Sequence, residues 1–330
     1  MRIKELDFDI VPDQAVLIFI GRRKSGKTTN IIDTFYKKRY AFKMGLVFCG
    51  SKATIKDYKK HFPHSFIFYG YHSDVLGAII NKQELDVEKG IAKPIFILVD
   101  DCMWAKKSIL GDPNIRRVFM NGRHSLIFFV LSMQYCMDLH PSLRQQIDFT
   151  FLSREKNPQN RERLYKNYNV CFKSYQEFES CMQSCTMNHE TLVLNNGNSE
   201  SDKIEDNVNW WRSKHVSIEK GGRRFRVNPN GTWWQFHHER FNPEYYNTNN
   251  TTNSTTPKNM GNGMIVTKVK TTKFKRKRKD TRKRTPAMPS TQTKLAADWM
   301  QKQRHQNIGD RRSSFSSSSV KYIDENVKYC

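Results

Sequence analysis

Over the first two hundred positions, apolar residues fall in short continuous runs, separated by stretches where they recur three and four apart. The runs occupy 15–20, 45–49, 65–69, 94–99, 126–131, 149–152 and 192–194. Runs of this length read as strands buried on both faces. Between them, 28–40 places Ile31, Ile32, Phe35 and Tyr36 on one helical face. Segments 52–61, 74–89, 112–121, 160–168 and 175–187 also read as helices, the third of these opening with the Gly111-Asp112-Pro113-Asn114 start signal. Strand and helix in alternation predict an α/β fold, a parallel sheet with helices on both faces. Residues 6–14 read as a polar lead-in, and 192–194 as the strand that closes the sheet.

The first strand runs into Gly21-Arg22-Arg23-Lys24-Ser25-Gly26-Lys27-Thr28, and a helix-prone segment begins with Thr29. Strand, glycine-bounded loop and helix give the context of a phosphate-binding P-loop. Two glycines let the backbone wrap so that successive N–H groups face an anion, and the helix N-terminus adds its positive end. Lys27 is expected to reach the outer phosphates and Thr28 to offer its hydroxyl to Mg²⁺. Gly21, Ser25, Gly26, Lys27, Thr28 and Thr29 are therefore the candidate nucleotide-binding residues.

The run 94–99 ends in Asp100-Asp101. An acidic pair at the carboxyl end of a buried strand, downstream of a P-loop, has the form of a Walker B motif. Asp100 would hold Mg²⁺ beside Thr28, and Asp101 would polarise the attacking water as general base. The longest apolar run follows Gly122-Arg123-His124 and ends at Ser132-Met133-Gln134. This puts Gln134 at the active edge, where its amide would sense the γ-phosphate or hold the lytic water. Arg123 sits at the other end of that strand, roughly 33 Å away at a strand's rise. One site cannot use both, so Arg123 either serves the nucleotide of a neighbouring subunit as an arginine finger in trans or solvates its loop. Arg144 is the second candidate for that finger. Cys181, Cys185 and His189 share helical spacing but lack the short knuckle that a zinc site needs.

Composition changes along the chain. The formal charge is +24, and the segment 247–330 holds 19 basic and 5 acidic side chains, a net +14 in a quarter of the length. A surplus this large calls for a polyanionic partner, most simply nucleic acid. The polar Asn/Thr-rich stretch 247–262 is expected to be disordered. The run with Lys273, Lys275, Arg276, Lys277, Arg278, Lys279, Arg282, Lys283 and Arg284 reads as a DNA tether or a nuclear-import address. Between core and tail, 199–246 carries Trp210, Trp211, Trp233 and Trp234 with glycine and Asn-Gly turn signals, so a small β-rich appendage is expected. The division is 1–198 for a P-loop core, 199–246 for the appendage and 247–330 for the basic tail. No segment approaches the roughly 20 apolar residues of a membrane span, and the 7 cysteines are scattered, so a soluble intracellular protein is expected.

In order, these features resemble the virion DNA-packaging ATPases of poxviruses and other nucleocytoplasmic large DNA viruses, a branch of the FtsK–HerA pumping ATPases. The resemblance covers about residues 10–195 and rests on 21–28, Ile97-Leu98-Val99-Asp100-Asp101, Gly122-Arg123-His124 and Ser132-Met133-Gln134. It implies an ASCE, RecA-like core that hydrolyses ATP with Mg²⁺, uses Arg123 as finger and Gln134 as sensor, and forms a ring, commonly a hexamer. It also implies double-stranded DNA as cargo, a capsid or portal as partner, and a place in the virion and the infected-cell cytoplasm, with the nucleus open through the basic run. Many relatives carry Glu as the second acid, whereas Asp101 is one methylene shorter. Two other readings share the P-loop: a nucleoside or nucleotide kinase, and a nucleotide-switched DNA-binding protein without motor action.

Overall fold

The apolar run ahead of the glycine loop becomes the middle of the sheet. The computed structural model of the chain describes residues 2–102, 109, 111–135, 139–197, 200–214 and 225–240. Its strands are β1 (Lys4–Glu5), β2 (Val16–Ile20), β3 (Met44–Cys49), β4 (Ile67–Tyr69), β5 (Ile95–Asp100), β6 (Ile127–Met133), β7 (Phe149–Leu152), β8 (Thr191–Asn195) and β9 (Val208–Trp211). They form one nine-stranded sheet in the order β1-β9-β8-β7-β2-β6-β5-β3-β4. Strand β2 pairs in parallel with β6 on one side (Ile20 opposite Met133) and with β7 on the other (Ile20 opposite Leu152). Every residue of β2, β3, β5 and β6 is buried, as their unbroken apolar runs require.

The helices are α1 (Lys27–Lys37), α2 (Lys52–Tyr58), α3 (Ser73–Glu88), α4 (Pro113–Asn121), α5 (Pro141–Arg144), α6 (Pro158–Tyr168), α7 (Tyr175–Cys185), α8 (Ile204–Asn207) and α9 (Thr232–Arg240). Successive residues of a strand face opposite sides of the sheet, and β6 shows both sides filled. Phe128 packs on Phe42 with ring centroids 5.0 Å apart, whereas Phe129 meets Phe119 of α4 edge-on at 5.1 Å. The first face continues through Phe35, Phe62 and Phe96 to Trp233 of α9, which is fully buried. Gly45 makes room for this cluster, since a Cβ there would lie 2.3 Å from the Phe96 ring.

Three departures from the sequence reading have physical causes. First, β8 pairs antiparallel with β7 and with β9, so it runs against the rest of the sheet. A single crossover helix returns the chain to the edge where a parallel strand starts. Here two helices, α6 and α7, bring it back to the edge it left. Second, β8 does not close the sheet. Residues 208–211 add β9, and Lys4–Glu5, just ahead of the expected lead-in, add β1. Third, the described residues of 199–246 form no hairpin of their own. Its strand belongs to the central sheet, and Trp233 and Trp234 lie on a helix, where large apolar surfaces reach the core. Trp211 meets Phe8 and Phe151 edge-on, at 4.9 and 5.7 Å. The Gly221-Gly222-Arg223-Arg224 stretch and the whole of 247–330, including the basic run, lie outside the described residues.

Candidate nucleotide site

All strands but β8 point their carboxyl ends at one edge of the sheet, and the loop after β2 lies there between the ends of β6 and β7. The N–H of Gly21 donates to the Met133 carbonyl at 3.2 Å. A Cβ on Gly21 would stand 2.6 Å from the Ser153 Cβ, just past β7, so this glycine is needed for space. Gly26, which caps α1, is needed for conformation. Its φ is 89°, and a Cβ there would meet nothing within 4 Å. Ser25 Oγ bonds Ser153 Oγ at 3.2 Å and ties the loop to β7.

Lys27 folds back into the loop, with Nζ donating to the carbonyls of Gly21 at 2.6 Å and Arg22 at 2.9 Å. Burial lowers the pKa of its ammonium, while Asp100 and Asp101 act in the opposite sense. Both acids emerge from β5. Asp100 is 2% exposed. Tyr58 Oη, from α2, donates to its Oδ2 at 2.7 Å, and Ser132 of β6 also hydrogen-bonds the carboxylate. Burial raises the pKa of Asp100, and these two bonds oppose that rise. Asp101 turns into the left-handed region at φ 52°, a conformation that Asp adopts more readily than most residues. Gln134 Nε2 donates to its Oδ1 at 2.7 Å.

Lys27, Thr28, Thr29, Asp100, Asp101 and Gln134 line one open cavity of about 690 Å³, with Gly50, Ser51 and Thr54 across from the loop. The candidates Gly26 and Ser25 line it as well. Thr28 and Asp100 supply two oxygen donors that suit Mg²⁺. No group of three or more His, Cys, Asp or Glu side chains that would cage a metal exists among the described residues. That donor set fits a cation held chiefly by nucleotide phosphates. A dication beside Asp100 would also offset the desolvation of its buried carboxylate.

Arg123 is not part of this cavity. It precedes β6 and so lies at the opposite, amino edge of the sheet, as its spacing from Gln134 required. There its guanidinium pairs with Asp148, whose side chain is only 8% exposed. Asp148 Oδ2 in turn accepts the Val16 N–H at 2.7 Å, at the start of β2. Arg144 is engaged elsewhere: Nε donates to the Leu139 carbonyl at 3.0 Å, and Nη1 to Asn167 of α6. Sequence reasoning missed Tyr58 and Ser153, which no local pattern marks. Ser132 left a signal, as the one polar side chain inside the longest apolar strand.

A P-loop strand separated from its acid-bearing strand by an inserted β6 defines the class: an α/β P-loop NTPase fold of the additional-strand type. No family model matches the chain. It is 31% identical over 252 residues to Uncharacterized protein L437 of Acanthamoeba polyphaga mimivirus, covering 74% of this chain and 85% of that protein. The chain belongs to that family of large-DNA-virus proteins. A further relative is Uncharacterized protein 088R of Invertebrate iridescent virus 3, 30% identical over 214 residues, covering 61% of this chain and 81% of that one. Among solved structures, the genome packaging NTPase B204 from Sulfolobus turreted icosahedral virus 2 in complex with ATP-gammaS is similar, with a TM-score of 0.42 and 15% identity. It spans 61% of this chain and 98% of B204. The cytoplasmic domain of the Thermomonospora curvata Type VII secretion ATPase EccC gives a TM-score of 0.40 at 11% identity, over 64% of this chain and 27% of that one.

Proposed function

We propose that this chain is an ATPase that drives double-stranded DNA into a viral capsid, working as a ring of copies. The observation that carries the reading is the convergence of Lys27, Thr28, Asp100, Asp101 and Gln134 in one cavity at the carboxyl edge of the sheet. Open α/β sheets hold their ligands at this edge. Membership in a family of large-DNA-virus proteins and the +24 charge support a polyanionic cargo.

In this reading Lys27 exchanges its two loop carbonyls for the outer phosphates, and Thr28 and Asp100 hold Mg²⁺. The bound cation would neutralise charge on the phosphate oxygens. Asp101 takes the proton of the attacking water, and the Gln134 amide fixes the orientation of that carboxylate. Arg123 is too far from its own P-loop to take part, so it serves the nucleotide of the next copy and must leave Asp148 to do so. The ring places such copies side by side in the virion and the infected-cell cytoplasm, against a capsid or portal component, and the basic run tethers DNA or addresses the nucleus.

The test is steady-state ATP hydrolysis by the full chain, with and without long duplex DNA. Strong stimulation by DNA is the expected result. A rate indifferent to DNA, with phosphate passed to a nucleoside or nucleotide, would assign a kinase instead. A slow rate in both conditions would assign a nucleotide switch without motor action.

A further inference from the structure

The cavity beside Asp100 accommodates a triphosphate but leaves the rest of a nucleotide unplaced. Asp100, Asp101 and Gln134 end β5 and β6, on one side of β2 in the sheet order. A triphosphate with its outer end toward those acids leaves the loop on the other side, over β7. A second open cavity of about 640 Å³ lies there, within the range of small-ligand sites. It shares Arg23, Lys24 and Ser25 with the first, so the two are continuous around the loop.

The reversed direction of β8 builds the far wall. Because β8 is antiparallel to β7, the turn before it lies at the active edge rather than the remote one. That turn is tight: the Glu190 N–H donates to the Met187 carbonyl at 2.7 Å, and Asn188 and His189 between them hold φ of 50° and 65°. Two successive left-handed residues without glycine are strained, and such strain gathers at ligand sites. Met187 is 48% exposed. Its thioether is not left loose, because Arg154 Nη1 donates to Met187 Sδ at 2.7 Å and to the Gln183 carbonyl at 3.4 Å. An apolar side chain held in the open beside a planar guanidinium offers a flat ring two suitable surfaces.

We propose that this cleft receives the nucleobase and ribose of the bound nucleoside triphosphate, with Met187 and Arg154 against the base. This rests on the reading that the P-loop binds such a nucleotide. Arg23, Lys24 and Lys156 also border the cleft and make no ion pair among the described residues. Charge alone would therefore suit a DNA backbone. The fixed turn, the exposed thioether and the continuity with the phosphate loop favour a single nucleoside.

Two probes separate the halves of the ligand. ATP reports on both subsites, whereas inorganic tripolyphosphate reports on the phosphate loop alone. Calorimetric titration of the full chain with Mg²⁺ should show Arg154→Ala and Met187→Ala each weakening ATP about tenfold, with tripolyphosphate unchanged. Both side chains are exposed, so the fold is not at stake, and Met187→Leu should retain most of the ATP affinity. An equal loss for ATP and tripolyphosphate would overturn the proposal, as would no loss for either. Weaker binding of a short duplex with ATP unaffected would assign the cleft to DNA. Wild-type protein that binds neither ATP nor tripolyphosphate would remove the P-loop reading, and this inference with it.

Discussion

Lys27 shows how a single side chain can be prepared for a ligand that is elsewhere. Its ammonium is half-buried and satisfied by two loop carbonyls, bonds that a phosphate can replace at little cost in desolvation. Each charge-assisted bond is worth about 1.5–3 kcal/mol. Lys27→Ala is therefore expected to weaken nucleotide binding by about 100-fold or more; an unchanged dissociation constant for a fluorescent ATP analogue would refute the role. Arg123 poses the opposite problem, a side chain already paired far from the site. Arg123→Ala should keep nucleotide binding and lose turnover. Adding an Asp101→Asn partner should restore part of the rate, at interfaces that join two intact contributions. Normal turnover by Arg123→Ala alone would leave the arginine as no more than a partner for Asp148.

Elements decide where these residues meet. The loop after β2 is wedged between β6 and β7, so close to β7 that Gly21 admits no Cβ beside Ser153. Gly21→Ala should lower the unfolding free energy by about 1–3 kcal/mol, as overpacking does, read from the shift of the denaturation midpoint. Adding Ser153→Gly, which removes the opposing Cβ, should restore most of it; a failed rescue would locate the strain elsewhere. At the other face, α9 is docked partly through the half-buried His237, which faces the turn that holds His64. His237 Nδ1 accepts the Ser65 N–H at 3.4 Å and lies 2.9 Å from the Ser65 hydroxyl. Burial pushes both His64 and His237 down to about 4. Undocked, each returns to its ordinary value near 6.5, so the undocked form takes up protons first as pH falls. Docking of α9 should be full above about pH 6.5 and weaken progressively toward pH 4. The fluorescence of Trp233 and Trp234 reports this, and a flat signal across that window would contradict it.

At the scale of the whole molecule, charge is the dominant fact. Residues 1–246 carry +10 and residues 247–330 carry +14. If the tail holds DNA, a chain ending at residue 246 should keep its basal ATP hydrolysis and bind duplex DNA more weakly. Its salt dependence should also flatten, since each phosphate contact adds about −0.9 to the slope of log K against log salt. An unchanged slope would move the DNA contact onto the core. The sequence alone determined the local parts: the strand–loop–helix of the P-loop, Asp100 and Asp101 at a strand end, and Gln134 closing an inserted strand. In each, the signal lies within about ten consecutive residues, where periodicity and glycine placement act. Tertiary structure alone decided which distant groups complete them. Tyr58 reaches Asp100 across 42 positions and Ser153 reaches Ser25 across 128, and no local pattern encodes such pairings. The reversal of β8 was likewise hidden, because a strand's direction depends on how many helices precede it and where they pack. That reversal brings the Met187–Glu190 turn beside the loop, so packing rather than local pattern decided what lines the cleft next to it.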